Sequence, residues 1–150
     1  MAEIKLEDFN EELAKAANLF TPKKIKQIQF PILKFYEGTS KYRIFNEGKA
    51  TDGSLIGRYR SLSYKKAREA KGRQTGYKDL EFFGDLRRSL TVGTNGDEFV
   101  FGFATDKGRL IGQYQETQTG KEIWSPTSSE IKDINKLLAK EITKCLKSAF

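Results

Sequence analysis

The sequence predicts an α+β fold: N-terminal and C-terminal helices packed on a small antiparallel β-sheet, with a long extended loop between them. Three observations carry this. Both ends show apolar residues at helical spacing, an Asn95-Gly96 pair separates two segments that read as strands, and residues 46–89 are glycine-studded, basic and poor in apolar side chains. At 150 residues, with 37% hydrophobic and 31% charged positions, the chain reads as one domain with a small core and a large wetted or partner-covered surface. Its parts are a helical 1–45, a basic glycine-rich loop region 46–88, a hairpin and sheet over 89–124, and a helix over 127–150.

In the first part, Leu6, Phe9, Leu13, Ala16, Ala17 and Phe20 share one helical face. Thr21-Pro22 is an N-cap followed by proline at the first helical position, so a second helix starts there. Ile25, Ile28, Ile32, Phe35 and Tyr36 extend the stripe. Pro31 is expected to kink or divide this helix and Gly38 to end it. SKYRIFNEG then follows as a short helical or extended piece.

In the basic region, Asp52-Gly53-Ser54 is a turn signal. Ser63 can cap a short helix over residues 64–71, with Gly72 placed to end it. Leu80, Phe82, Phe83, Leu86 and Leu90 fit another short helix despite Gly84. Residues 48–76, with so little to bury, are expected to be mobile in a free subunit and ordered by assembly, because ordering them costs backbone entropy.

Residues 89–93 and 98–103 flank TNGD, a strong hairpin signal, and Phe99, Phe101 and Phe103 alternate onto one face that must be covered. A helix is expected over residues 107–116 and a third strand over 121–124. TSSE at residues 127–130 is a capping-box pattern. It opens a last helix with Ile131, Ile134, Leu138, Ile142, Cys145 and Leu146 on one side, where Cys145 reads as a buried small hydrophobe.

The inventory argues against an enzyme. There is no histidine and one cysteine, so Ser-His and Cys-His pairs, a disulfide framework and a Cys/His zinc site are all excluded. No glycine pattern has the context of a phosphate-binding loop or dinucleotide fingerprint. Asp79, Glu81 and Asp85 could do acid–base work, but pairing with Arg87, Arg88 or Lys78 is the better reading. No cofactor is implied. No apolar run approaches the ~20 residues of a membrane span, and the acidic start lacks the features of a signal peptide. The chain is expected to be soluble and made in a reducing cytoplasm.

Several weak motifs follow one another in order: Glu47-Gly48 with Asp52-Gly53-Ser54, then Ser61-Leu62-Ser63-Tyr64 to Arg68. Asp79-Leu80 to Gly84-Asp85-Leu86-Arg87-Arg88-Ser89 follows, and Val100-Phe101-Gly102-Phe103 closes the hairpin. This order resembles the virion-morphogenesis, or tail-completion, proteins of tailed bacteriophages, which belong to the head–tail and tail-tip joining apparatus. The resemblance runs from about Phe45 to the C-terminus. Phe83 departs from it, standing where Thr is usual, as does Gln115-Glu116, standing where a histidine and a Phe-Gly pair are common. It implies a structural virion protein of the neck or tail that assembles in the host bacterial cytoplasm. It also implies a homo-oligomeric ring with neck, tail or portal-associated neighbours, and no membrane partner.

The net charge of +7 is concentrated in the basic region. Arg58, Arg60, Lys65, Lys66, Arg68, Lys71 and Arg73 are the candidate contact residues, facing either an acidic neighbouring subunit or packaged DNA. Interleaved with Tyr59, Tyr64 and Tyr77, they also suit a small basic nucleic-acid-binding protein, the alternative reading.

Overall fold

The computed structural model describes residues 15, 18–81, 84–96 and 98–149. Most of the first expected helix (Leu6, Phe9, Leu13, Ala16, Ala17) therefore lies outside the described residues, as do Phe82, Phe83 and Asp97. Among the described residues the fold is α+β, with helices around one two-stranded antiparallel sheet.

Helix α1 spans Pro22–Lys41, and the Thr21 hydroxyl accepts from Lys24 N as the sequence predicts. Neither expected break occurs. Pro31 lies inside a single helix, and Gly38 is passed through. The helix then widens into a π-helical turn, Tyr42–Asn46, that buries Arg43, Ile44 and Phe45. A π turn offsets the helical face by an extra residue, and such insertions tend to mark sites of special demand. Here the demand is to bury Ile44 and Phe45 in the central core while Arg43 reaches across to later segments.

The hairpin forms as read: β1 is Leu90–Asn95, β2 is Glu98–Phe103, and Leu90 pairs with Phe103. Its three phenylalanines are covered from one side. Phe99 meets Phe30 at 5.2 Å between centroids, Phe101 meets Tyr36 edge-on at 5.0 Å, and Phe103 meets Trp124 edge-on at 4.9 Å. Edge-to-face pairs at this spacing are favourable beyond the area they bury. Glu37 of α1 also closes the free edge of β1, accepting from Val92 N.

The remaining helices are α2 (Leu62–Ala70), α3 (Asp85–Ser89), α4 (Asp106–Thr119) and α5 (Ser128–Ala149). The cap of α2 is Ser61, not Ser63. α3 starts after a left-handed Gly84 and is shorter than the pattern over 80–90 suggests. α4 lies against the sheet so closely that a Cβ on Gly112 would sit 2.5 Å from the Phe103 ring. The capping box of α5 is present: Thr127 Oγ1 accepts from Glu130 N, and Glu130 Oε2 accepts from Thr127 N.

Three expectations are corrected here. The sheet is packed mainly by α1, α3 and α4, while α5 lies chiefly along α1. Residues 121–124 form no strand, because the backbone N–H groups of Ile123 and Trp124 are both taken by the Glu116 carboxylate, at 2.9 and 3.2 Å. Cys145 is only half-buried; among the described elements α5 lies chiefly along α1.

The core gathers Ile44, Phe45, Ala50, Ile56, Leu90 and Ile123, with Leu80, Leu86, Phe101, Phe103 and Trp124 packed against it. It is small and sits where the π turn, the basic region and the base of the hairpin meet.

Candidate functional site

The basic region is folded around its own charges. Ser61 caps α2, and from that start Tyr64 and Arg68 fall one helical turn apart on the inward side. Arg68 is fully buried. Its Nη2 donates to both Asp79 oxygens at 2.9 and 3.0 Å, its Nη1 to Glu81 O at 2.8 Å, and its Nε to Gln74 O at 2.9 Å. The guanidinium carbon lies 4.5 Å from the Tyr59 ring centroid and 6.0 Å from that of Tyr64. The planar fork and stacking faces of arginine suit this position as lysine would not.

Asp79 is equally well satisfied. Besides Arg68 it accepts from the Tyr59 hydroxyl, Gln74 Nε2 and Glu81 N. Burial pushes the Tyr59 hydroxyl well above its ordinary pKa, with the Asp79 charge adding to the rise. Leu80, between the two residues that Arg68 fastens, is held at a left-handed φ of 55°. A non-glycine residue stays there only where its surroundings over-determine the backbone. The hydrogen bonds on Asp79 and Glu81 do so.

This corrects the reading of Arg68 as a contact residue: it is a structural staple. The other candidates separate by exposure. Arg58, Arg60, Lys66 and Lys71 are exposed, and Lys65 and Arg73 are half-buried. The tyrosines divide as well. Tyr59 is buried on Arg68, and Tyr77 packs against Gly48 with its hydroxyl donating to Asn46 O, so of the three only Tyr64 presents a substantial exposed surface.

Arg58 and Arg60 line an open groove of about 1020 Å³. Lys78 joins them, Ile111, Gln115 and Gln118 of α4 form the facing wall, and the core residues Ile56 and Leu86 reach its base. The one lining carboxylate, Asp85, is paired with Arg88. No described residue forms an ion pair with Arg58, Arg60 or Lys78, so the groove keeps their positive charge. Gln115 Oε1 is shielded from solvent and accepts no hydrogen bond, which is costly for a buried acceptor. Lys78 and Gln115 were not among the sequence candidates, because α4 reaches the basic region only through tertiary packing.

A second buried arginine lies on the other side of the core. Arg43 Nε donates to Glu130 Oε1 at 2.8 Å, Nη1 to Lys49 O and Ile123 O, and Nη2 to Ser125 O. Tyr36 donates to Trp124 O nearby, and burial, with the Glu130 charge adding to it, pushes its hydroxyl up to about 12.

The carboxylates weighed for acid–base chemistry are all paired: Asp79 with Arg68, Glu81 with Arg87 and Asp85 with Arg88. Among the described residues, no group of three or more acidic, histidine or cysteine side chains is arranged to hold a metal ion, and no helix is long and apolar enough to cross a membrane. Comparison with protein-family models, curated proteins and solved structures finds no match for this chain.

Proposed function

We propose that this chain is a structural subunit of the neck or tail of a tailed-bacteriophage virion, without catalytic residues, that assembles with copies of itself as a ring. The observation that carries the reading is the convergence of the motif residues. Tyr64 and Arg68 from one segment and Asp79 from the next meet in one cluster around the buried Arg68 guanidinium. Gly48 from a third segment takes a left-handed φ of 63° directly against Tyr77 and the Lys78 carbonyl. Residues that look like scattered loop signals in sequence thus act as one scaffold. Such a scaffold holds the exposed cations outward, where they fit a neighbouring subunit. Charges of this kind add little to folding but steer association and fix partner register.

Size-exclusion chromatography with light scattering, followed by electron microscopy of the purified chain, tests the proposal. A defined ring, or incorporation into particles with other virion components, is the expected result. A monomer with steeply salt-dependent affinity for DNA would instead favour the nucleic-acid-binding reading, which the exposed Arg58, Arg60 and Lys66 support.

A further inference from the structure

The groove beside Arg58 and Arg60 has an unusual pairing of properties. Its base is apolar, through Ile56 and Leu86, and its rim is cationic, through Arg58, Arg60 and Lys78. A nucleic-acid strand would use the cations but leave the apolar base without a match, and two of the three tyrosines suited to base stacking are engaged internally. An amphipathic acidic peptide uses both.

One segment of this chain has that chemistry. Residues 1–14 hold Glu3, Glu7, Asp8, Glu11 and Glu12 against a single Lys5, and the sequence spacing puts Leu6, Phe9 and Leu13 on one helical face. Position within the fold then separates the two ends. Ile56, at the groove, shares the core with Phe45, whereas α1 begins at Pro22, beyond the hairpin-tip contact of Phe30 with Phe99. The 23 steps from Pro22 to Phe45, along α1 and its π turn, put roughly 35 Å between the two ends at 1.5 Å per residue. A donor at one end and an acceptor at the other describe a head-to-tail contact, which closes into a ring when the rotation allows.

We propose that the groove receives the acidic N-terminal segment, residues 1–14, of a second copy of this chain. The inference rests on the ring reading above and names the contact that builds the ring.

Charge reversal on each side tests it with the full chain. Arg58→Glu with Arg60→Glu reverses the groove, and Glu7→Lys with Glu11→Lys reverses the arm. Each pair alone should reduce the assembly to the 17.1 kDa monomer in light scattering, while circular dichroism stays that of the wild type. Mixing the two variants in equal amounts should restore the oligomer, because each arm then meets an opposite groove. A contact within one chain cannot give that rescue. Should the groove variant misfold, Arg58→Gln with Arg60→Gln serves in its place, with partial dissociation expected. Wild-type mass in both variants overturns the inference and leaves the ring reading standing. So does an oligothymidine probe whose binding is lost in the groove variant while the mass is unchanged, which makes the groove a phosphate site. A wild-type chain that is monomeric at every concentration overturns the ring reading, and this contact with it.

Discussion

Two buried arginines organise this molecule, and they work over different distances along the chain. Arg68 binds partners between 6 and 13 residues away, whereas Arg43 ties to Ile123, Ser125 and Glu130, 80 to 87 residues away. The first folds a segment that lacks the apolar residues to fold itself. The second fastens the start of α5 and the segment before it to the end of α1. Both do so by donating to backbone carbonyls as well as a carboxylate, so each replaces secondary structure that its surroundings do not form. A chain with modest hydrophobic content can thus order its irregular parts around satisfied charges, provided that every donor finds an acceptor.

The largest expected effects come from removing either staple. Arg43→Ala and Arg68→Ala should each cost about 3–5 kcal/mol in denaturant melts, the range for breaking a buried pair and stranding its partner charge. That is a large part of an ordinary domain's 5–15 kcal/mol. Hydrogen exchange should tell them apart. Arg68→Ala should lower protection within residues 57–81 first, and Arg43→Ala should lower it after α1 and in the first turn of α5 together. Arg68→Lys should not recover the loss, since a lysine cannot supply the fork. Equal patterns of exchange in the two variants would show that the clusters are one cooperative unit and not two.

Gly48 links the two clusters, because it follows the π turn that carries Arg43 and touches Tyr77 and Lys78 beside the Arg68 cluster. A Cβ there would lie 2.5 Å from the Lys78 carbonyl oxygen, on backbone that is already left-handed. Gly48→Ala should cost about 1–2 kcal/mol from the left-handed conformation and a further ~1–3 kcal/mol from overpacking. Gly53→Ala, left-handed but with open space around its Cβ, should show the first cost alone. Identical melts for the two variants would remove Gly48 from this linking role.

Features set by neighbouring residues were legible in the sequence. Asn95-Gly96 ahead of the alternating phenylalanines, Thr21-Pro22 and the Thr127–Glu130 box each declare a local geometry, and each is found. Features set by distant packing were not. Gly38 reads as a stop, yet the helix passes it: a mid-helix glycine costs only ~1 kcal/mol, and Tyr36, Glu37 and Ser40 anchor both sides. Residues 121–124 read as a strand until the Glu116 carboxylate takes their amides. Arg68 was hidden among six similar cations, because composition does not distinguish an inward arginine from an outward one. The Ser61 cap with Tyr64 and Arg68 at i, i+4 held that information. The groove was invisible for another reason: its two walls are far apart in the chain.

Alkali should loosen both clusters. The Tyr36 hydroxyl, beside the Arg43 cluster, is raised from its ordinary 10.0 to about 12, and that of Tyr59, on Arg68, is raised as well. A folded-state pKa above the unfolded value contributes stability that is complete below pH 10 and is lost as pH rises through the folded value. Stability should therefore begin to fall above about pH 10, as both hydroxyls lose their contribution. Ultraviolet titration of Tyr36→Phe and Tyr59→Phe assigns the two late-ionising phenols. Both tyrosines ionising together, with the bulk of the chain's phenols, would contradict their burial.

The smallest effect on stability is expected from the cations that point outward. Arg58, Arg60 and Lys66 share the basic region with Arg68 but are exposed and make no ion pair with any described residue. Exposed charges contribute roughly 0–1 kcal/mol each, and relieving repulsion in a chain of net charge +7 works in the opposite direction to any loss. Arg58→Gln, Arg60→Gln and Lys66→Gln combined should therefore melt within the scatter of the wild type, while Arg68→Ala alone melts far below it. Association should respond the other way, because several like charges acting across one interface steer encounter and fix register. The triple variant should assemble more slowly, and the difference from wild type should shrink as added salt screens the wild-type charges. A large fall in the melting temperature of the triple variant, with unchanged assembly, would mean that the outward cations fold the basic region as Arg68 does, and the contrast between inward and outward charge would collapse.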